Sequence, residues 1–177
     1  MNNAGFEAID VPNAILTEAL AVSPSGDVVG PYRDANGIGH GFLLRYGQFL
    51  NIDVPGASFT AAAGINADGD IVGNYRVPHG HLQGFRLRNG TFATISAPGA
   101  LSTATTGINP RGDIIGTYRD AACARHGFLL SDGQRFTIDI PGARLTEPFG
   151  INPEGDIVGV YADADSNFHG FLLPAGK

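Results

Sequence analysis

One motif recurs at an interval of 43 residues, and this repetition restricts the fold more than any other feature of the sequence. It reads GINADGDIVGNYR at 64–76, GINPRGDIIGTYR at 107–119 and GINPEGDIVGVYA at 150–162, with a looser copy, AVSPSGDVVGPYR, at 21–33. A repeat of this length indicates a supersecondary unit that buries its apolar face only by stacking on copies of itself. The sequence therefore predicts a single domain over 1–177, with repeats at about 5–47, 48–90, 91–133 and 134–176.

Each repeat predicts four short strands. In the second repeat these are residues 60–66, 70–76, 84–88 and 91–98, and the second of them alternates apolar and polar residues. The pair Asn89-Gly90 is a strong signal for a two-residue hairpin, because a type I′ turn needs a positive φ at both positions. Asp132-Gly133 occupies the same place in the third repeat. This pattern predicts an all-β fold.

The two ends of the sequence complement each other. The segment GFEAIDVP at 5–12 matches a fourth strand without its hairpin partner, and HGFLLPAGK at 169–177 matches a third strand without its partner. Pairing of these ends predicts a four-bladed β-propeller with four strands per blade, in which the N-terminal strand completes the last blade. A β-trefoil would have three repeats, and an open solenoid would not need complementary ends.

Composition excludes some functions. The formal net charge is −6, from 11 Lys and Arg against 17 Asp and Glu, which argues against nucleic-acid binding. Cys123 is the only cysteine, so no intrachain disulfide forms. No apolar run approaches the roughly 20 residues of a membrane helix, and the first ten residues lack a signal-peptide pattern. We expect no membrane or nucleic-acid partner and a monomer or weak oligomer, with the compartment undetermined.

These motifs resemble the HAF-repeat family of bacterial proteins over essentially the whole sequence. The shared pattern is Gly-Ile-Asn, then Gly-Asp-Ile-Val-Gly-Tyr, then His-Gly-Phe-Leu, then Ile-Asp-Val-Pro-Gly-Ala. Two positions depart from it: Gln83 replaces the His found at 40, 126 and 169, and Ser96 replaces the Asp found at 10, 53 and 139. The resemblance implies repeated β-structure and an extracellular location, and it implies no specific reaction.

Positions kept in three or all four repeats are interpreted as scaffold. This applies to the Asp in each tight turn, the Tyr of each second strand, and the His and Asn kept in three repeats. We expect function where the repeats differ, on the face that carries the long loops. Glu18 and Glu147 are the first such pair, because ring closure would make them neighbours. They could then act as general acid and base, and the alternative is that they are two solvated acids.

Three further groups lie on the same predicted face. Arg33, Arg76 and Arg119 suit a carboxylate or phosphate ligand, although ion pairs with the adjacent Asp34 and Asp120 are the alternative. His79 and His81 share a strand face, but no third metal ligand accompanies them, so we expect no metal and no cofactor. The last group is Leu20 and Phe149, which are bulky at a position where the other two repeats have small residues. They either line a ligand pocket or belong to the core.

Two functions of different classes follow. One is a small propeller that binds a glycan or small molecule on its long-loop face, where repeated sites would give avidity. The alternative is a lyase, isomerase or hydrolase with one acid–base site at Glu18 and Glu147. A structural or adhesion domain without a ligand is the third candidate. The number of sites per chain distinguishes the three.

Overall fold

The structure is a computed structural model that describes residues 5–176, and all regular secondary structure in this range is β-strand. We divide it into four units, one for each repeat. The first unit contains β1 (Leu16–Thr17), β2 (Ala21–Val22), β3 (Val28–Arg33), β4 (Gly39–Arg45) and β5 (Gln48–Ile52). The second contains β6 (Phe59–Ile65), β7 (Ile71–Arg76), β8 (Gln83–Arg88) and β9 (Thr91–Ile95). The third contains β10 (Ser102–Ile108), β11 (Ile114–Arg119), β12 (Arg125–Ser131) and β13 (Gln134–Ile138). The fourth contains β14 (Leu145–Ile151), β15 (Ile157–Ala162) and β16 (Phe168–Leu173).

The strands of each unit form an antiparallel meander with the register repeated from unit to unit. Ala61 pairs with Asn74 in the second unit, and the equivalent pair in the third is Ala104 with Thr117. One parallel bridge, between Arg125 and Leu145, joins the third and fourth units into a seven-stranded sheet. The all-β prediction is confirmed. Over the described residues there is no helix long and apolar enough to cross a membrane.

The predicted hairpin turns are present. Asn89 and Gly90 have φ values of 49° and 75°, and Asp132 and Gly133 have 51° and 75°, as a type I′ turn requires. In the first unit the same turn is made by Tyr46 and Gly47, at 52° and 73°. The sequence signal was weaker there because a Tyr replaces the usual Asn or Asp.

The first strand of the first unit is interrupted, unlike its counterparts β6, β10 and β14. Glu18 donates its backbone N–H to the Pro31 carbonyl at 3.0 Å, but Pro31 has no N–H to return. The ladder is therefore split into β1 and β2. In the other units the same strand carries a β-bulge, at Ala63, Thr106 and Phe149.

The core lies between consecutive units. Val29 and Leu43 of the first unit pack against Ile71 and Phe85 of the second. Val72 packs against Ile114 and Phe128 at the next junction, and Ile115 against Ile157 at the last. Each junction thus buries equivalent positions, so the stacking predicted from the 43-residue period is confirmed.

The Thr that recurs in all four repeats stabilises this stacking. Its hydroxyl accepts the N–H of a residue in the preceding Val-Pro-Gly-Ala turn, as in Val54 to Thr60 at 3.2 Å and Ala97 to Thr103 at 2.9 Å. Val11 and Thr17 make the same bond at 3.1 Å. The N-terminal segment is therefore held on the first unit.

The closure predicted for the ends is not formed among the described residues. Residues 5–14 make no strand, and Ile9, Val11 and Ala14 pack on Tyr32 and Phe42 of the first unit. In residues 5–176 no strand pairing and no hydrophobic cluster joins the first unit to the fourth. The prediction of four strands per repeat therefore holds for the second and third units, whereas the first has five and the fourth has three.

Candidate functional site

Asp residues organise the long loops of the first, third and fourth units. Asp34 accepts the N–H groups of Asn36 and Ile38 at 2.9 and 2.8 Å, and Asp163 accepts those of Asp165 and Asn167 at 2.9 Å each. The backbone N–H of Ile38 is the largest cause that lowers the pKa of Asp34. The expected ion pairs of Arg33 with Asp34 and of Arg119 with Asp120 are wrong, because these carboxylates bind loop N–H groups and histidines instead.

In the first, third and fourth units, the histidine that follows the long loop contacts an aspartate of that loop. Nδ1 of His126 lies 2.9 Å from Oδ2 of Asp139, and its Nε2 lies 3.3 Å from Oδ2 of Asp120. Burial lowers the pKa of the His126 imidazole, but the two carboxylates outweigh burial and the net direction is upward. His40 lies between Asp34 and Asp53 in the same way, and His169 contacts Asp163 at 3.1 Å. The structural interpretation of these histidines is confirmed.

The two departures from the His/Asp pattern belong to one unit. Gln83 lies on β8 and Ser96 directly follows β9, so the second unit has lost both partners together. The Tyr75 hydroxyl donates to the Gln83 side-chain oxygen at 2.7 Å and lies 2.8 Å from the Thr94 hydroxyl. A neutral network therefore replaces the charged one.

The turn aspartates are scaffold, as the sequence indicated. Asp27 pairs with Arg45 at 2.6 Å, and this hydrogen bond is the main cause that lowers the pKa of Asp27. Asp70 pairs with Arg86. The Asn side chains of the same motif accept turn N–H groups, as in Asn66 from Asp70 at 3.0 Å. None of these groups faces the long loops.

A cavity of about 430 Å³ lies on the long-loop face between the third and fourth units. Three guanidinium groups line it, from Arg119, Arg125 and Arg144, together with the Ser166 hydroxyl and the apolar side chains of Leu145 and Phe168. We call this cavity the arginine cleft. None of its lining residues is acidic. It is therefore a cationic pocket on a chain whose net charge is −6.

Local pairing builds the arginine cleft. Arg119 ends β11 and Arg125 begins β12, and the two are direct cross-strand partners. Like charges placed directly opposite destabilise a sheet unless anions compensate them. Glu147 on β14 forms an ion pair with Arg125, and Arg144 donates to the Ser166 hydroxyl at 3.0 Å. Arg119 is exposed and forms no ion pair with a described residue.

An equivalent cavity of about 200 Å³ lies between the first and second units. It is lined by Glu18 and Arg33, with Leu16, Tyr32 and Phe59. Gly39 and Ser58 hold the positions of Arg125 and Arg144, so the lining of this cavity contains one Arg and one Glu. We call this cavity the neutral cleft. The cationic character belongs to the arginine cleft and not to the repeat.

The structure does not bring Glu18 and Glu147 together. Glu18 is exposed in the neutral cleft of the first unit, and Glu147 is neutralised by Arg125 of the third unit. Over residues 5–176, no hydrogen bond or ion pair connects them. The acid–base pair required closure of the fourth unit on the first, and that junction is not made here.

The remaining predicted site residues are dispersed. His79 has a φ of 60° and both it and His81 are exposed, and no group of potential metal ligands occurs in residues 5–176. Phe149 is the bulge residue of β14 and is 54% exposed. Leu20, 55% exposed, lines an apolar groove on the first unit and not the neutral cleft. Arg76 is exposed at the end of β7.

Sequence reasoning missed Arg125 and Arg144. A signal was available, because neither Arg recurs in another repeat. The residues equivalent to Arg125 are Gly39, Leu82 and Phe168, and those equivalent to Arg144 are Ile15, Ser58 and Leu101. Arg125 begins β12 and Arg144 directly precedes β14, and both positions hold a different residue in every repeat.

Comparisons with known proteins give limited information. No family model matches the chain, and no curated protein matches it. Among solved structures, the chain is similar to a mutant of Aleuria aurantia lectin in complex with alpha-methyl-L-fucoside, with 12% sequence identity and a TM-score of 0.49. The match covers 85% of this chain and 54% of the lectin chain, so this chain spans about half of it.

Proposed function

We propose that the four units are β-propeller blades of the HAF-repeat type, and that the arginine cleft binds an acidic glycan, such as one that carries a uronic acid, or a similar small carboxylate. The observation that carries the proposal is the placement of Arg119 beside Arg125 and Arg144 in one cavity, where Arg119 has no carboxylate partner among residues 5–176.

Guanidinium chemistry supports an anionic ligand. Arg presents paired N–H donors whose fork matches a carboxylate, and charge-assisted bonds of this kind are about twice as strong as neutral ones. Arg125 is already satisfied by Glu147, and Arg144 bonds only a neutral hydroxyl. Arg119 and Arg144 therefore offer donors to an incoming carboxylate.

The other walls of the cleft suit a sugar ring. Leu145 and Phe168 are apolar, and the Ser166 hydroxyl can donate or accept one hydrogen bond. A pyranose has an apolar C–H face and hydroxyls at its edge, so it matches this mixture. The volume of about 430 Å³ lies within the range of about 300–1,000 Å³ typical of small-molecule sites.

The difference between the two clefts predicts one site per chain. The neutral cleft has about half the volume and is lined by Glu18 as well as Arg33, so it offers little attraction to an anion. This distinguishes the proposal from a lectin with equal sites in all blades.

Isothermal titration calorimetry with glucuronic acid and with its neutral counterpart, glucose, tests the proposal. We expect glucuronic acid to bind at one site per chain and glucose to bind at least about tenfold more weakly, since a lost charged hydrogen bond costs about 1.5–3 kcal/mol. Equal binding of the two sugars, or binding of neither, would reject an acidic-glycan site.

A further inference from the structure

The first and fourth units each leave an apolar face uncovered. Val158 on β15 is 48% exposed, whereas its equivalents Val29, Val72 and Ile115 are fully buried at the three internal junctions. Leu172 on β16 is 64% exposed, whereas Leu43 at the equivalent position is buried. The fourth unit therefore carries the same junction face as the others, but nothing packs on it in residues 5–176.

The first unit carries the matching groove. An apolar cavity of about 310 Å³ is lined by Ile9, Ala19, Val22 and Val28, among others. Their equivalents one repeat later are Ile52, Ala62, Ile65 and Ile71, and these four residues form a single core cluster with Val29. The residues that line the groove are thus equivalent to those that surround Val29 in the core. Val158 is the equivalent of Val29 three repeats later, so its side chain fits this groove.

Gly170 on β16 also leaves room for a neighbouring strand. A Cβ at Gly84 or Gly127 would lie 2.7 Å from Thr105 or Pro148 of the following unit, so these glycines permit close approach of the next first strand. At Gly170 the nearest atom to such a Cβ is 3.9 Å away and belongs to Gly159 of the same unit. Gly170 leaves space for a strand equivalent to the one that carries Ala19.

The charged groups at the two ends match as well. Asp10 is exposed and occupies the position of Asp53 and Asp139, which contact Nδ1 of His40 and His126. His169 contacts Asp163 through Nε2, and in the described residues it has no second carboxylate at Nδ1. Asp10 would complete the group around His169.

We propose that the fourth unit of one copy docks head to tail on the first unit of a second copy, and that residues 5–10 of the second copy pair with β16. The repeats fix the register. By analogy with Gly127–Ile138 and Leu129–Phe136, Gly170 pairs with Ile9 and Leu172 pairs with Glu7.

A second copy suits this junction better than the chain's own first unit. Three equivalent internal junctions are already formed, yet they leave Val158 exposed and the groove open. If each junction turned the chain by a quarter circle, the fourth unit would already lie on the first. A face and a groove at opposite ends of one molecule make a heterologous contact, which forms a closed ring when the rotation allows it.

The first test is the molar mass in solution, measured by light scattering after size exclusion. We expect twice 18.4 kDa or a higher multiple, and a return to 18.4 kDa in Val158→Asp, because a charge would enter the apolar groove. Val77→Asp is the matched control, since Val77 is an exposed valine outside this face, and it keeps the wild-type mass. A monomeric wild type, or a Val158→Asp variant that keeps the wild-type mass, overturns the proposal.

A designed disulfide identifies the occupant. Glu7→Cys and Leu172→Cys are combined in a Cys123→Ser background, and oxidised samples are compared on non-reducing gels. We expect covalent species of two or more chains. A disulfide within one chain would show that the chain closes on itself, and the absence of any disulfide would show that the groove is not occupied by β16. Either result overturns the proposal.

Discussion

The arginine cleft and the neutral cleft occupy equivalent places on the same scaffold, yet they differ in charge. Both lie between the second strand of one unit and the first strand of the next, and both contain an exposed Arg at the end of that second strand. The neutral cleft adds Glu18, whereas the arginine cleft adds Arg125 and Arg144 and holds Glu147 in an ion pair. Repeated backbone geometry therefore supplies the cavity, and four variable positions supply its chemistry.

The largest effect should come from converting one cleft into the other. Arg125→Gly combined with Arg144→Ser places the neutral-cleft residues, Gly39 and Ser58, at the equivalent positions of the arginine cleft. We expect affinity for glucuronic acid to fall about 100-fold or more, because the charged hydrogen bond from Arg144 is lost, at about 1.5–3 kcal/mol, and Glu147 without Arg125 repels the ligand carboxylate. Calorimetry measures the loss, and circular dichroism checks that the β-fold is retained. A change below about threefold would show that these two residues do not distinguish the clefts.

A smaller effect is expected from the Arg that the two clefts share. Arg119→Gln should lower affinity about tenfold, since it removes one charge-assisted contact. Arg33→Gln in the neutral cleft is the matched control and should leave binding unchanged. The two side chains are both exposed strand ends, so their unfolding free energies should stay within about 0.5 kcal/mol of wild type. Equal losses in both variants would place the ligand outside the arginine cleft.

Removal of the acid that pairs with Arg125 should act in the opposite direction. Glu147→Gln releases Arg125 from its ion pair and adds one net positive charge beside the cavity. We expect a gain of a few-fold in affinity that disappears at high salt, where exposed charges are screened. Titrations at low and high ionic strength measure it. Loss of binding at both salt concentrations would instead assign Glu147 a direct role in holding the ligand.

The smallest expected effect concerns the loop that bears Ser166. The pKa of Asp163 is lowered from its usual 3.8 to about 2. The largest cause is the hydrogen bond to the His169 side chain, and the second is the backbone N–H of Asn167. A carboxyl whose pKa is lower in the folded state stabilises the fold above its unfolded pKa. This contribution is lost as the pH falls from about 4 through about 2. Thermal midpoints of wild type and Asp163→Asn should converge over that range, and a constant difference would contradict it.

The sequence predicted the repeat, the strands and the scaffold aspartates because each depends on local periodicity and turn chemistry. Asn89-Gly90 is an example, since its neighbours alone determine the turn. Closure of the ends was predicted from their complementarity, but complementarity does not say whether the partner is the same chain. Residues 5–14 are instead held on the first unit by Ile9, Val11 and the bond to Thr17.

The candidate site was harder to predict from sequence. Arg119 was identified as one of a repeated set, but its importance depends on Arg125 across the strand pair and on Arg144 from the next unit. Arg125 begins the next strand of the same unit and Arg144 precedes the first strand of the following unit, so no local pattern connects them. Glu147 was singled out for acid–base chemistry, whereas its ion pair with Arg125 gives it a neutralising role.

A crystal structure of the protein with glucuronic acid tests the central claim most directly. We predict one sugar in the arginine cleft, with its carboxylate in hydrogen-bond contact with Arg119 and its ring against Leu145 or Phe168. A sugar bound in the neutral cleft, or at equivalent positions on several units, would contradict the claim that variable residues and not the repeated scaffold create the site.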